Sequence, residues 1–500
     1  MLHQPRLSHI LLIILPLFAA QISLYHASFS VKPASDDFPV VHEILRGNTQ
    51  GPGVFFRESM SNMHHRPFKS LAIWWFGRLS DTHREFWIRV LHFSGMALYL
   101  FVMSLWLSRM RLSMPAVITA AIMLLFHPAL PQALSSIDGV DSLMSSALVW
   151  LGAWFAFVYR DRLGIAVPAT LVCFLLAAGW KEYSFATVPL ATWTLLCFSP
   201  PKARWLRAAV MFVCTCVVFA LILVVRQRAM PGGYGAVKGS TYLSLSPRQW
   251  VENAALMCTG LLFFGNSVWV FVHQSLAVFA IVGASVFIAA LVIAVGIFHR
   301  LRTDADPKPN DGAARWIVFL LVSFIASTFP ANVMFHVSEM YLVPAMLPMA
   351  LLCGMSADGW LRIRAPLRFV AWVIAIVALL SSAWTVHQKV AGLVDVGDRA
   401  DRQIQQVLSL LPPDAHDLKI ALLFDLDRLP PRRTYAVYRM GDEILLVHPM
   451  VFDWIVPQRH LTLAAFPTSN PDYHADQYDI TFIWDPQSES FKNISNSTRQ

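Results

Sequence analysis

Apolar stretches of about twenty residues recur from the N-terminus to about residue 386, and a chain that repeats them folds in a bilayer. A hydrocarbon core roughly 30 Å thick is crossed by about 20 residues of helix, and every backbone polar group inside it must be satisfied within its own segment. The composition agrees: 56% of the 500 residues are hydrophobic and only 14% are charged, against about 25% charged in an ordinary soluble chain. The expected fold is therefore an all-α polytopic membrane protein. From His387 to Gln500 the charge density rises and no spanning segment follows, so residues 387–500 are expected to form a separate soluble domain after a membrane domain of residues 1–386.

The basic residues set the orientation. Cations gather in short loops on the cytoplasmic side, and Arg109 and Arg111, Arg160 and Arg162, Lys202, Arg204 and Arg207, and Arg362, Arg364 and Arg368 all stand in short loops between apolar segments. Arg6 followed by the apolar run Ile10 to Ile22 resembles a secretory signal, but the small-residue sites beyond it are weak, so it is read as a retained first helix. The crossings are then about Ser8–Ser28, Phe86–Leu107, Met114–Leu134, Leu143–Val158, Leu163–Gly179, Tyr183–Phe198, Ala208–Val225, Leu276–Phe298, Trp316–Pro330, Tyr341–Met355 and Phe369–Trp384. That makes about eleven transmembrane helices. Trp250 to Val272 is read as interfacial or re-entrant, because a full crossing would put Arg300, Arg302 and Lys308 outside.

With a cytoplasmic N-terminus, this odd count leaves the C-terminal domain on the extracytoplasmic face. A large first outer loop covers residues 29–85 and a second covers 226–249. The first breaks the charge rule, since it carries Lys32, Arg46, Arg57, Arg66, Lys69, Arg78 and Arg84. Holding the phosphate of a lipid carrier at the outer surface is a purpose such cations serve.

Composition also excludes functions. The net charge of +8 lies mostly in the cytoplasmic turns, which points to no nucleic-acid partner, and all six cysteines fall in or beside apolar stretches, which leaves no disulfide framework. In the C-terminal domain, Ile404, Val407, Leu408 and Leu411 keep helical spacing up to Pro412-Pro413. Ile420–Phe424, Tyr435–Tyr438, Ile444–Val447 and Tyr478–Trp484 read as strands of a small α/β domain. Asn493-Ile494-Ser495 and Asn496-Ser497-Thr498 match the N-glycosylation acceptor pattern.

Several charged residues fall at outer helix ends. Asp36-Asp37 follows the first crossing, ahead of a short amphipathic run of Val40, Val41, Ile44 and Leu45. One of the pair can simply cap that helix; alternatively, one is a general base taking a proton from an attacking hydroxyl while the other orients it or faces a metal. His64, His65, Arg66 and Lys69 form a solvated basic patch or a phosphate clamp. Asp138 and Asp141 suit helix-start caps. Lys181-Glu182, between two apolar runs, is either a self-neutralising hairpin pair or a functional pair at membrane depth. Glu339 and Tyr341 stand at a further outer end. Caps alone would be spread over both faces, whereas Asp36, Asp37, Arg66, Asp141, Lys181, Glu182 and Glu339 all map to one.

In their order, these features resemble the C-type superfamily of polytopic, polyprenyl-phosphate-sugar-dependent glycosyltransferases, especially the transmembrane O-mannosyltransferases with tetratricopeptide repeats and their bacterial relatives. The resemblance rests on Asp36-Asp37, Arg66-Pro67, Phe126-His127-Pro128, Asp141, Lys181-Glu182 with Pro189, and Glu339-Met340-Tyr341-Leu342 with Pro344, over about residues 8 to 355. Met340 and Val140 stand where the family has Arg and Gln132 where it has Glu, and the C-terminal domain shows no such repeats.

The resemblance implies a glycosyltransferase that moves a hexose or pentose, with inversion, from a polyprenyl-phosphate carrier to a glycan, lipid or protein hydroxyl. It places the active site on the outer face of what is expected to be a bacterial inner membrane. Asp36 and Asp37 would be catalytic, and His65, Arg66, Asp141, Lys181, Glu182, Glu339 and Tyr341 would bind donor phosphate or substrate. No cofactor is assigned, and a divalent metal ion is the one left open. A lipid-linked glycan transporter or flippase, a diphosphate-donor polymerase or ligase, and a non-catalytic scaffold are the competing readings. A transporter calls for ionisable groups near the midplane, with broken helices or internal repeats there, whereas this chain shows no repeat and its charges cluster at one face.

Overall fold

The computed structural model describes residues 6–34, 37–59, 64–80, 82–230, 246–267, 270, 275–303, 312–334, 337–425, 435–436, 445–446, 449–468, 470 and 473–494. Among these, eight helices are long and apolar enough to cross a bilayer, and Met114–Leu125 and Leu163–Ala178 are shorter apolar helices. The chain is a polytopic helical membrane protein with a small C-terminal sheet.

Two expected crossings are shorter than their apolar runs, for a local reason. The run from Met114 stops at Leu125, and after Phe126-His127-Pro128 a separate short helix covers Leu130–Ser135. Proline has no N–H to continue the ladder and disfavours helical backbone before it. Tyr183–Phe198 likewise divides into a 3-10 turn, Glu182–Ala186, and a helix, Thr187–Phe198. The ambiguous segment is the helix Pro247–Leu262, capped by extended backbone at Phe263.

Proline also shapes the helix Val343–Trp360. Pro348 leaves the Pro344 carbonyl without its intrahelical donor, and Trp150 Nε1 supplies one from 3.0 Å. The Tyr99 hydroxyl donates to Val343 O at 2.7 Å and accepts from Leu347 N at 3.2 Å. The bundle core is aromatic: Trp106 meets Trp150, Trp154, Phe157, Trp316 and Phe319 with ring centroids 5.3 to 6.2 Å apart. Where Leu276–Thr303 crosses Val343–Trp360, a side chain on Gly359 would collide with the backbone of Gly296, so these helices touch main chain to main chain.

The last helix, Ala365–Leu410, runs unbroken for 46 residues through the expected domain boundary at 386. It leads to a four-stranded sheet, in which β1 is Lys419–Phe424, β2 Thr462–Pro467, β3 Ile480–Asp485 and β4 Ser490–Asn493, in the order β2-β1-β3-β4. The first three strands are parallel and β4 is antiparallel to β3. Of the expected strands, the first and last are present, Tyr435–Ala436 pairs with Val337–Ser338, and Leu445–Leu446 lies outside any strand. Positions 437–438, 444 and 447 lie outside the described residues, as do Ser495 and Asn496 of the glycosylation patterns.

The sheet does not stand alone. Phe38, Val40, Val41, Ile44 and Ile73 of the first loop share a buried core with Ile404, Val407, Ile420, Leu422, Leu463 and Phe482. Lys32 Nζ meets Asp401 at 2.8 Å and His42 Nδ1 meets Asp453 at 2.6 Å. First loop and C-terminal sheet therefore occupy the same end of the bundle.

Candidate active site

The first loop is anchored where it leaves the bundle. Arg89, fully buried on the helix Arg84–Leu107, donates to Ser28 O at 2.9 Å. The helix Asp37–Gln50 then starts at the Asp37 carboxylate, which is buried and accepts from Ala34 N at 3.3 Å, Ser136 Oγ at 3.0 Å and Asp138 N at 2.9 Å. Asp37 is thus both a helix-start residue and a tie between the loop and the 136–138 segment. Asp36 lies outside the described residues.

Arg66 is the N-cap of the helix Pro67–Gly77. The next two N–H groups, of Phe68 and Lys69, point at Gly179 O from 3.0 and 3.4 Å. Gly179 has no room for more: a Cβ there would lie 2.1 Å from the Phe68 ring. This contact sets Arg66 and Lys69 against the turn that carries Lys181 and Glu182.

The result is one buried ionic network. Asp141 is fully buried at the start of the helix Val140–Val158, and its Oδ2 accepts from Arg66 Nη1 at 2.7 Å and Lys69 Nζ at 3.1 Å. Its Oδ1 accepts from Lys181 Nζ at 2.9 Å, and Lys181 also donates to Ser142 Oγ at 3.0 Å. Lys69 pairs with Asp138 as well. Glu182 bridges Arg66 Nη2 at 2.7 Å and Arg226 Nη1 at 2.9 Å. Burial alone would raise the Glu182 carboxyl, but Arg66 and Arg226 outweigh it and hold it well below the usual carboxylate range. Burial, reinforced by the Arg66 charge, lowers His64 to about 3.

A second buried pair lies beside the first network. Glu339 opens a 3-10 turn ahead of Val343–Trp360 and accepts from Lys389 Nζ and Ser267 Oγ, both at 2.5 Å. Lys389 also donates to Pro128 O at 2.8 Å and Ser267 Oγ at 2.8 Å. The next residue, Met340, reaches back, with its Sδ 3.3 Å from Lys181 Nζ. Tyr341 packs edge-on against Tyr183 at 6.1 Å, with Lys181 Nζ 5.9 Å from its ring centroid.

Arg66, Asp141, Lys181 and Glu182 therefore meet directly, Tyr341 borders them, and Glu339 belongs to the adjoining pair. His65 is buried between loop segments, lowered first by burial and held by the Phe56 backbone. Among the described residues no three His, Cys, Asp or Glu side chains gather as metal ligands.

Arg226 and Lys389 were not singled out as site residues from the sequence. Arg226 reads there as the edge of the second loop, and Lys389 falls just past the expected boundary. Their signal is present: each is a cation closely following a long apolar run, where an ionised group demands a partner.

The fold of this chain is similar to that of solved structures of ArnT. Two solved structures carry the likeness, ArnT from Cupriavidus metallidurans bound to undecaprenyl phosphate and the same protein in the apo state. Each is 12% identical in sequence, with a TM-score of 0.50 over 95% of this chain and 93% of that one. No protein-family model and no curated protein matches the sequence.

Proposed function

We propose that this chain is an integral membrane glycosyltransferase that moves a sugar from a polyprenyl-phosphate carrier to a hydroxyl acceptor on the extracytoplasmic face. The observation that carries the reading is the meeting of Arg66, Lys69, Lys181 and Arg226 around Asp141 and Glu182 at the first-loop end of the bundle. Those four cations face the three carboxylates of Asp138, Asp141 and Glu182. A carrier phosphate gains charge as the glycosidic bond breaks, and fixed cations in a water-poor site stabilise that charge in the transition state. The fold shared with a protein that binds undecaprenyl phosphate supports the same carrier here.

In this reading His65 and Arg66, with Lys181, border the carrier phosphate, while Asp141, Glu182 and Glu339 hold those cations and the neighbouring loops in place. The hydrogen bonds of Asp37 suit an orienting partner, which leaves Asp36 as the general base and the residue to face a divalent ion if one is used. Protonating the base is expected to cost about 100- to 10,000-fold in rate. The test is sugar transfer in membranes by Asp36→Asn and Asp37→Asn separately, with surface glycans read by mass analysis. Full activity in both variants refutes the base assignment, and unchanged glycans on removing the protein refute the transferase reading.

A further inference from the structure

The helix Ala365–Leu410 presents one continuous stripe to its surroundings: Phe369, Val373, Ile376, Leu380 and Trp384, each between 42% and 69% exposed. The spacing keeps them on a single face, and an aromatic ring at the end of a lipid-facing stripe sits at the membrane–water interface. One turn further, the same face becomes polar at His387 and Gln388 before Ala391.

At that changeover lies a cleft of about 520 Å³, lined by Asn266, Trp384, His387, Gln388 and Ala391. Asn266 Nδ2 donates to Gln388 Oε1 at 3.0 Å, and the Trp384 and His387 rings lie 6.2 Å apart. Among the described residues no Lys or Arg lines it. The neighbouring Lys389 turns inward, where Pro128 O, Ser267 Oγ and Glu339 Oε1 engage it. The cleft thus offers amides, an imidazole and an indole face, which suit hydroxyls and a sugar ring better than a phosphate. It opens from the lipid-facing stripe, and Lys389 and Ser267, chain neighbours of its lining residues Gln388 and Asn266, meet Glu339 on the side of the charged network.

We propose that this cleft is the acceptor subsite and that the acceptor is a membrane lipid with an uncharged, hydroxyl-rich head. Its chains lie along Leu380 and Trp384, and its head meets Asn266, His387 and Gln388. The inference rests on the transferase reading above and narrows its acceptor to a lipid.

Binding tests it without turnover. The full chain in nanodiscs is titrated with a monohexosyl diacylglycerol, with phosphatidylglycerol and with undecaprenyl phosphate. The wild type is expected to prefer the glycolipid to phosphatidylglycerol. Trp384→Ala, Gln388→Leu and the cleft-filling Ala391→Phe are each expected to weaken the glycolipid about tenfold or more while undecaprenyl phosphate binds as before. Because the cleft residues are exposed, retained binding of undecaprenyl phosphate also reports intact folding. Equal binding of both diacyl lipids, or no loss in any variant, overturns the proposal. So does a matching loss for undecaprenyl phosphate, which would assign the cleft to the carrier. Glycolipid binding without any sugar transfer by the wild type would instead sink the transferase reading and leave the lipid subsite standing.

Discussion

The Asp37 carboxylate receives the backbone N–H of Asp138 at 2.9 Å, across 101 residues of sequence. Asp138 in turn pairs with Lys69, and Lys69 shares Asp141 with Lys181. The acidic start of the first loop is therefore four contacts from the Lys-Glu turn, on the same side of the bundle.

Asp141 is the anion that lets three cations sit together. Asp141→Asn is expected to destabilise the protein by about 3–5 kcal/mol, because an uncompensated buried charge costs that much. Thermal unfolding in detergent measures it. Adding Lys181→Met is expected to restore part of the stability but no transfer; a double variant as active as the wild type would remove the network from the mechanism.

Donor grip is separable from membrane insertion. Arg66→Ala and Lys181→Ala are expected to raise the concentration of lipid-phosphate sugar needed for half-maximal transfer by about tenfold or more, since charge-assisted hydrogen bonds are the strong ones. Membrane insertion should be unchanged. Unaltered donor dependence in both variants would remove their phosphate role.

Two groups set an acid limit on stability. Glu182 is held below its unfolded value, so its contribution is present above about pH 4.5 and is lost as pH falls through its folded value. His64 is lowered to about 3, so between about pH 6.5 and 3 the unfolded chain binds a proton that the folded chain refuses. Both act in one direction: the unfolding temperature is expected to fall steadily from pH 7 to pH 4. His64→Phe should flatten the upper part of that slope, which unfolding scans at several pH values would reveal.

Gly139 joins the 136–138 segment to the helix that carries Asp141. A Cβ there would lie 2.7 Å from Gln132 O and 2.8 Å from Ala133 Cα, both backbone atoms. Gly139→Ala is therefore expected to shift Asp138 and Asp141 together and to lower transfer far more than Gly164→Ala, where a Cβ meets open space. Equal transfer rates for the two variants would contradict this.

Much of this organisation was legible in the sequence. Apolar runs with basic turns between them define a polytopic bundle, the cost of charges at membrane depth singles out Lys181 and Glu182, and the shared outer face adds Arg66 and Asp141. Helix lengths were less legible, because an apolar run does not show where it bends: the break at His127-Pro128 shortens a run that hydropathy alone carries to Leu134. Strands β2 and β4 were missed, since Thr462–Pro467 ends in proline and Ser490–Asn493 is mostly polar. The excess of outer-loop cations had a partly structural answer. Arg46 ties the loop to Ser59 O at 2.9 Å and Lys32 reaches the last helix. Lys389 was hidden because its partners, at 128, 267 and 339, come from three remote bends.

The last helix, about 69 Å long at 1.5 Å per residue, is a rigid mast between the bilayer and the sheet. With no break along its length, this helix ties the C-terminal sheet to the bundle. A tilt of the sheet would therefore be felt at Lys389, on the same helix.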